Sequence, residues 1–405
     1  MFGLVFSTAP VFKDGVSVGN LPSNAQWQEV SGMTGSTIAA NANYLWAQSD
    51  GAEAKILAIL KTNAATTYEW TLDGVTVNDC EDMANAKIND TSYLYVAQIG
   101  DNANAHATST IYRFPEPIIN GSTGAIASET IEHIIVEFPA DHMPTHKDAE
   151  TFLVDPDTGD MYIITKREEI PSVYHLAHQA SYTGTQTLVY DGNMWAIPAK
   201  TSVAAAGAAP NAVGGNISPD GTEIIIKNYD QVFYWDRSDK GVSIYETLTQ
   251  TPTELVAYVG GGSNTPRKSH PSAEPQGEAI TWDYNGENFY TGGEYVASEG
   301  STPTQYPLFM YERMYDTETT VYFQDGNNGY SGTLDTYIWD TNPDTSYGTL
   351  TTLVADTDTN YVETNQRKVL LKFDISSIPS TATITGATLY LYVNTEGQWF
   401  RFQVI

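Results

Sequence analysis

The sequence holds a single cysteine, Cys80, which excludes an intrachain disulfide and any zinc ribbon. It is also short of basic residues: 19 Lys and Arg stand against 49 Asp and Glu, a formal charge of −30. That balance disfavours a nucleic acid or an anionic membrane as partner and suits calcium or neutral glycans, besides serving solubility in a salty medium. No apolar run reaches the 18 or so residues that a membrane-spanning helix needs. The apolar opening Met1–Phe6 lacks the basic flank and the length of a signal core, so the expected extracellular or cell-surface location rests on the domains and not on a leader. Also missing are a Gly-x-Ser-x-Gly elbow, a phosphate-binding Walker loop, a His-Glu-x-x-His helix and a dinucleotide fingerprint, which leaves serine hydrolases, nucleotide enzymes and zinc proteases without support. The acidic run Asp155–Asp160 sits between strands and lacks the flanking helices of an EF-hand.

What is present points to an all-β chain: 26 tyrosines, 32 glycines and 19 prolines, with frequent Thr, Asn and Asp, suit many short strands joined by turns. A divergent repeat runs through the first three quarters, with a polar residue opening a short strand, a turn, and then an aromatic or β-branched strand. Its copies open at Asp79-Cys80-Glu81-Asp82 before Tyr93–Val96, at Asp148-Ala149-Glu150 before Met161–Ile164, at Gly214-Gly215-Asn216 before Glu223–Ile226, and at Gln276-Gly277-Glu278 before Asn288–Tyr290. A weaker copy opens at Ser31-Gly32-Met33 before Tyr44–Trp46. The keyed positions 81, 150, 216 and 278 are spaced by 69, 66 and 62 residues. In the second copy a third strand, Ser172–Leu176, and a fourth, Thr187–Tyr190, follow, and four strands per repeat describe a propeller blade.

The spacing predicts five blades over residues 1–314, with six as the alternative, and the last copy lacks a strand that Leu4–Phe12 is expected to supply, closing the ring. From about Asp316 the composition shifts to Thr, Asp, Asn and Tyr, which marks residues 315–405 as a second unit, expected to be the first part of a β-sandwich.

The strands and turns of that second unit, among them Thr320–Gly326, Asn328–Gly332, Leu334–Ile338, Lys368–Asp374 and Ala382–Val393, resemble the disaggregatase-related (DNRLRE) domain, whose members are counted among carbohydrate-binding modules of family 96. The resemblance implies a polysaccharide or cell-surface glycan as partner. The first 310 or so residues resemble secreted propellers related to the SdiA-regulated and esterase-like phytase groups, through Asp79–Ala84, Ile99–Ala103, Ile111–Pro117, Asp148-Ala149-Glu150, Thr165-Lys166-Arg167 and Ser218–Gly221. This second resemblance implies a fold and a channel site without fixing a reaction.

The innermost strand of a blade lines the central channel, so Glu81, Glu150, Asn216 and Glu278 are expected to converge on the axis. Hard cations take several oxygen ligands at short range, which makes these four a candidate Ca²⁺ site, and without a cation the three carboxylates would raise one another's pKa values. The ends of the second strands carry Asp50, Asp101, Lys166, Asn228 and Glu294, a candidate ligand ring around the same mouth. His146 and His270 stand in loops at comparable places before Glu150 and Glu278, as candidate general bases beside a metal. Three functions follow: a calcium-holding propeller attached to glycan or matrix, a metal-dependent esterase, phosphoesterase or polysaccharide-degrading enzyme, or a self-assembling subunit of an extracellular sheath or filament.

Overall fold

A computed structural model of the chain describes residues 2–7, 10–50, 53–142, 147–197, 212–229, 231–256, 277–293, 307–314, 319–327, 329–350, 352–355, 366–378 and 383–391. Two compact units emerge: Val11–Met314, and Met1–Pro10 together with Tyr315–Ile405.

The larger unit is a five-bladed propeller. Blade 1 runs outward through Gly32–Thr34, Tyr44–Gln48, Lys55–Leu60 and Thr67–Leu72, and blade 2 through Asp82–Ile88, Thr91–Gln98, Ser109–Pro115 and Glu132–Glu137. Blade 3 comprises Ala149–Val154, Met161–Thr165, Ser172–Leu176 and Val189–Asn193, and blade 4 Gly214–Ile217, Glu223–Lys227, Val232–Asp236 and Thr253–Val256. Blade 5 takes Ala279–Trp282, Phe289–Gly292 and Pro307–Tyr311, and its outermost strand is Val16–Asn20 from near the N-terminus. The innermost strands pack each on the next around the ring, blade 5 returning to blade 1.

The ring is therefore closed from the N-terminal side, but by Val16–Asn20 and not by Leu4–Phe12. Val11–Phe12 pairs with Arg313–Met314, while Phe2–Ser7 lies between Thr319–Phe323 and Thr383–Leu389 in a three-stranded antiparallel sheet of the other unit. A strand in that middle position has both backbone edges satisfied, which a place at the propeller's rim would not offer it. Residues Thr187–Tyr190, expected as one strand, divide: Gln186–Thr187 adds in parallel to the outer edge of blade 2, and only from Val189 does the chain join blade 3. Gly124–Ile126 latches blade 1 in the same way, also in parallel.

Blade stacking explains why so many strands are apolar at every position. Leu94 and Val96 pack with Trp46, Ile56 and Met83 in the layer between blades 1 and 2. Tyr95 and Ala97, pointing the other way, join Phe152 and Ile163 between blades 2 and 3. In blade 3, Tyr162 and Ile164 meet Ile224, Ile226 and Phe233 of blade 4. Both faces of these inner strands are covered, so their period-two alternation selects the neighbouring blade and not core against solvent, whereas outer strands such as Val189–Asn193 keep exposed positions.

Polar groups cross the seams as well. Glu116, leaving blade 2, accepts hydrogen bonds from Ser36 Oγ (2.5 Å), Asn41 Nδ2 (2.8 Å) and the Trp46 indole (2.9 Å) of blade 1. Arg237 of blade 4 pairs with Asp155 of blade 3 at 2.9 Å, and Arg313 grips Glu223 through two nitrogens at 3.0 and 2.5 Å. Nearest the axis, fully buried Asp82 accepts from the N–H of Met83 at 2.8 Å, of Phe152 in blade 3 at 2.9 Å and of Gly215 in blade 4 at 3.3 Å.

The smaller unit adds a hairpin-like pair, Thr333–Trp339 with Arg367–Phe373, in which Tyr337 lies opposite Val369 and Trp339 opposite Arg367.

Truncating Asp82 to Ala leaves three buried N–H groups without their acceptor, and at about 1 kcal/mol or more for each group the cost is expected to reach about 3 kcal/mol. Denaturant unfolding of the full chain measures it; a loss below about 1 kcal/mol would show that apolar packing alone holds these seams.

Candidate axial site

Three acids meet at one end of the channel because of where each sits on its innermost strand. Glu81 and Glu278 immediately precede Asp82–Ile88 and Ala279–Trp282. Glu150 lies inside Ala149–Val154, at the point where pairing with Met161–Thr165 skips a residue. A bulge leaves its extra residue outside the ladder and re-aims its side chain, and here the extra residue is the acid. One carboxylate oxygen from each of Glu81, Glu150 and Glu278 lies within 4.8 Å of the others, and all three residues are buried.

Neighbouring blades hold the acids in place through the carbonyls just before them. Gln48 of blade 1 donates to the Cys80 carbonyl at 3.0 Å, ahead of Glu81, and fully buried Lys227 of blade 4 donates to the Gly277 carbonyl at 2.5 Å, ahead of Glu278. Close approach is required at Gly100, where a Cβ would come within 2.5 Å of the Asp79 carboxyl carbon and collide with Glu81 Oε1.

The cluster contains its own cation. Lys166 donates to Glu150 Oε1, stands 3.6 Å from Glu278 Oε1 and lies 5.4 Å from the centre of the Tyr229 ring. The Tyr229 hydroxyl donates to Glu278 Oε1 at 2.8 Å. Glu150 Oε2 is buried and has no hydrogen-bond partner among the described residues.

Burial, more than any neighbour, sets the protonation here. It pushes Glu81 well above the usual carboxylate range, with repulsion from Glu278 adding to the rise and Lys166 opposing it. Asp50 is pushed up to about 7 by burial and then by Asp79, Glu29 and Glu278. Asp79 rises for the same first reason, tempered by its hydrogen bond with Glu81. The Cys80 thiol, buried between these acids, is raised too, so it stays protonated and unreactive.

The expected fourth ligand is turned elsewhere. Asn216 Oδ1 accepts from the Trp282 N–H at 3.3 Å and the Thr281 hydroxyl at 3.5 Å, and its Nδ2 donates to Thr34 Oγ1 at 3.4 Å. Of the expected mouth ring, Lys166 joins the acids themselves and Asp50 lies close enough to Glu278 to feel its charge. Asp101 caps its own loop, accepting from the N–H groups of Ala105 and His106 at 2.7 and 2.9 Å, and Asn228 Oδ1 accepts from the Gln231 N–H at 2.6 Å in a turn. His146, His270 and Glu294 lie outside the described residues. Sequence reasoning passed over Asp79, Lys227 and Tyr229; Asp79 stood in the same Asp-Cys-Glu-Asp motif, whereas nothing local marks the two blade 4 residues.

The site passes the elementary tests for a hard cation: clustered carboxylate oxygens, an excess of acid over base and an unpartnered buried oxygen. The ammonium of Lys166 already occupies one side of it.

Among solved structures, the chain is similar to an α-L-arabinofuranosidase from Lactobacillus brevis at 11% identity and a TM-score of 0.42, covering 74% of this chain and 92% of that chain. It is similar to a luciferin-regenerating enzyme at 10% identity and a TM-score of 0.39, covering 75% and 95%. Similarity to the Dos1 propeller has 10% identity and a TM-score of 0.31, covering 70% and 68%. No curated protein matches the chain. The family model for carbohydrate-binding module family 96 matches residues 328–401, which implies carbohydrate binding by that part of the smaller unit.

Proposed function

We propose that this protein attaches outside the cell to polysaccharide or a surface glycan through its smaller unit, and that its propeller holds Ca²⁺ at Glu81, Glu150 and Glu278. The observation that carries the first half is the family match over residues 328–401. Within that span Tyr337 and Tyr347 stack at 4.3 Å and 16°, and the Arg367 guanidinium lies 4.1 Å from the centre of the Trp339 ring. Tyr337 is buried against Tyr347, so the aromatic surface open to a sugar is that of half-buried Trp339 and Tyr347, whose ring centres lie 6.4 Å apart, and sugar rings, with apolar C–H faces, stack on such surfaces. The net charge of −30 favours a neutral glycan over a polyanionic one at low ionic strength.

The calcium half is supported by charge counting on the axis. Among the described residues, Lys166 is the cation paired with Glu150 and Glu278, while Glu81, Asp50 and Asp79 add further acid close by, a surplus that protons or a metal ion would neutralise. Ca²⁺ would supply charge neutralisation and cross-linking of blades 2, 3 and 5 through these carboxylates.

Affinity gel electrophoresis against neutral and acidic polysaccharides tests the glycan reading. Wild type is expected to be retarded by a neutral polymer, and the double substitution Trp339→Ala, Tyr347→Ala to weaken that retardation about tenfold or more; absence of retardation by any polymer would remove the reading.

The cation reading has a pH signature. In chelator, the folded pKa of Asp50, about 7, exceeds its unfolded value of about 4, so its contribution to stability is full below pH 4 and lost as pH rises through 7. Discounted for partial exposure, the loss attributable to Asp50 is about 1–2 kcal/mol, and Asp50→Asn should flatten it. Ca²⁺ favours the ionised acids and should restore stability at pH 7–8. Unchanged melting on chelation, with no calcium found by metal analysis, would count against calcium.

A further inference from the structure

We propose that Lys166 is the resident cation of the axial site, and that a divalent cation reaches Glu81, Glu150 and Glu278 only by exchanging with its ammonium. This rests on the cation reading above and adds to it a competitor built into the chain.

The Lys166 side chain is 7% exposed, and its ammonium is bonded to Glu150 and 3.6 Å from Glu278, whose side chains are 3% and 6% exposed. Since the three carboxylate oxygens lie within 4.8 Å of one another, the ammonium stands in the space a metal ion would need. Two cations cannot share so small a buried volume without strong repulsion, so entry of one displaces the other.

The ammonium leaves the site incompletely used. Glu150 Oε2, on a residue 2% exposed, is buried and without a hydrogen-bond partner among the described residues. A lysine offers three donors from one point, whereas Ca²⁺ gathers six to eight oxygens, both oxygens of a carboxylate included. The gain on exchange therefore comes from the second positive charge and the unused oxygen. A monovalent ion brings neither the extra charge nor the ligand number, which makes the lysine a filter for divalent cations.

The Tyr229 ring centre is 5.4 Å from Nζ, so its face attracts the ammonium in the resident position, and the flexible four-carbon stem allows the ammonium to swing away from the carboxylates.

The test compares the full chain with Lys166→Met, titrating CaCl₂ against NaCl at matched ionic strength. In chelator the variant should melt below wild type, because Glu150 and Glu278 lose their countercharge, and Ca²⁺ should raise its melting temperature more than it raises that of wild type. Its calcium affinity by calorimetry should be at least tenfold tighter, and NaCl should reproduce neither effect. Equal or weaker calcium affinity in the variant, with wild type still binding, overturns the exchange while leaving the cation reading intact. Absence of binding in both proteins overturns both. Should Lys166→Met fail to fold, the unaltered protein still decides: reductive methylation of Lys166, followed by peptide mass spectrometry, should be slow in chelator and markedly faster at saturating Ca²⁺. Equal rates in the two conditions overturn the exchange.

Discussion

The ring depends on one buried carboxylate. Asp82, fully buried on an innermost strand, offers its oxygens to N–H groups of blades 2, 3 and 4. Apolar layers between blades supply most of the burial, but they are non-directional and would tolerate a blade sliding along its neighbour. A carboxylate with three fixed donors does not. Burial drives the Asp82 pKa well above its usual value, and the N–H bonds that favour the ionised form oppose that rise without cancelling it.

The same economy of donors governs the acids beside it. Gln48 and Lys227 hold the carbonyls of Cys80 and Gly277, fixing the backbone from which Glu81 and Glu278 project, and each reaches across from an adjacent blade. In blade 4 the strand begins with Gly214, where a Cβ would collide with the Glu278 carbonyl. Blade 4 thus gives up an acid of its own to let that of blade 5 sit where it does, and contributes Lys227 and Tyr229 in exchange. The axial cluster is consequently asymmetric: carboxylates come from blades 2, 3 and 5 and a cation from blade 3.

That asymmetry explains what was legible in the sequence and what was not. The repeat survives because each blade needs a polar strand opening and an apolar second strand, so the five-blade reading and the gathering of Glu81, Glu150 and Glu278 were legible in the repeat, although the bulge that aims Glu150 was not. Asn216 was misplaced because it is the third residue of Gly214–Ile217, whereas Glu81 and Glu278 stand just before their strands, and spacings of 66 and 62 residues do not fix where in its strand a residue falls. Lys166 was expected at the mouth, not among the acids, since nothing near it in sequence announces Glu278 more than 100 residues away. Ring closure was assigned to the wrong N-terminal stretch because Leu4–Phe12 is the more apolar, and the sheet that takes Phe2–Ser7 is assembled from the far end of the chain.

Fold and site are thereby one cooperative object. Glu81 and Asp82 are adjacent, one reaching the axial cluster and the other stapling blades 2, 3 and 4, so displacement of either moves the backbone of both. Any ligand that binds the folded cluster and not the unfolded chain stabilises the ring by RT ln(1 + [L]/Kd), about 2.7 kcal/mol at a hundredfold excess over Kd. The ring closes where Val16–Asn20 pairs with Pro307–Tyr311 at the rim of blade 5, and Glu278 ties the inner edge of that same blade to the cluster. Neutralising charge on the axis therefore acts on the inner edge of the blade whose outer edge closes the ring.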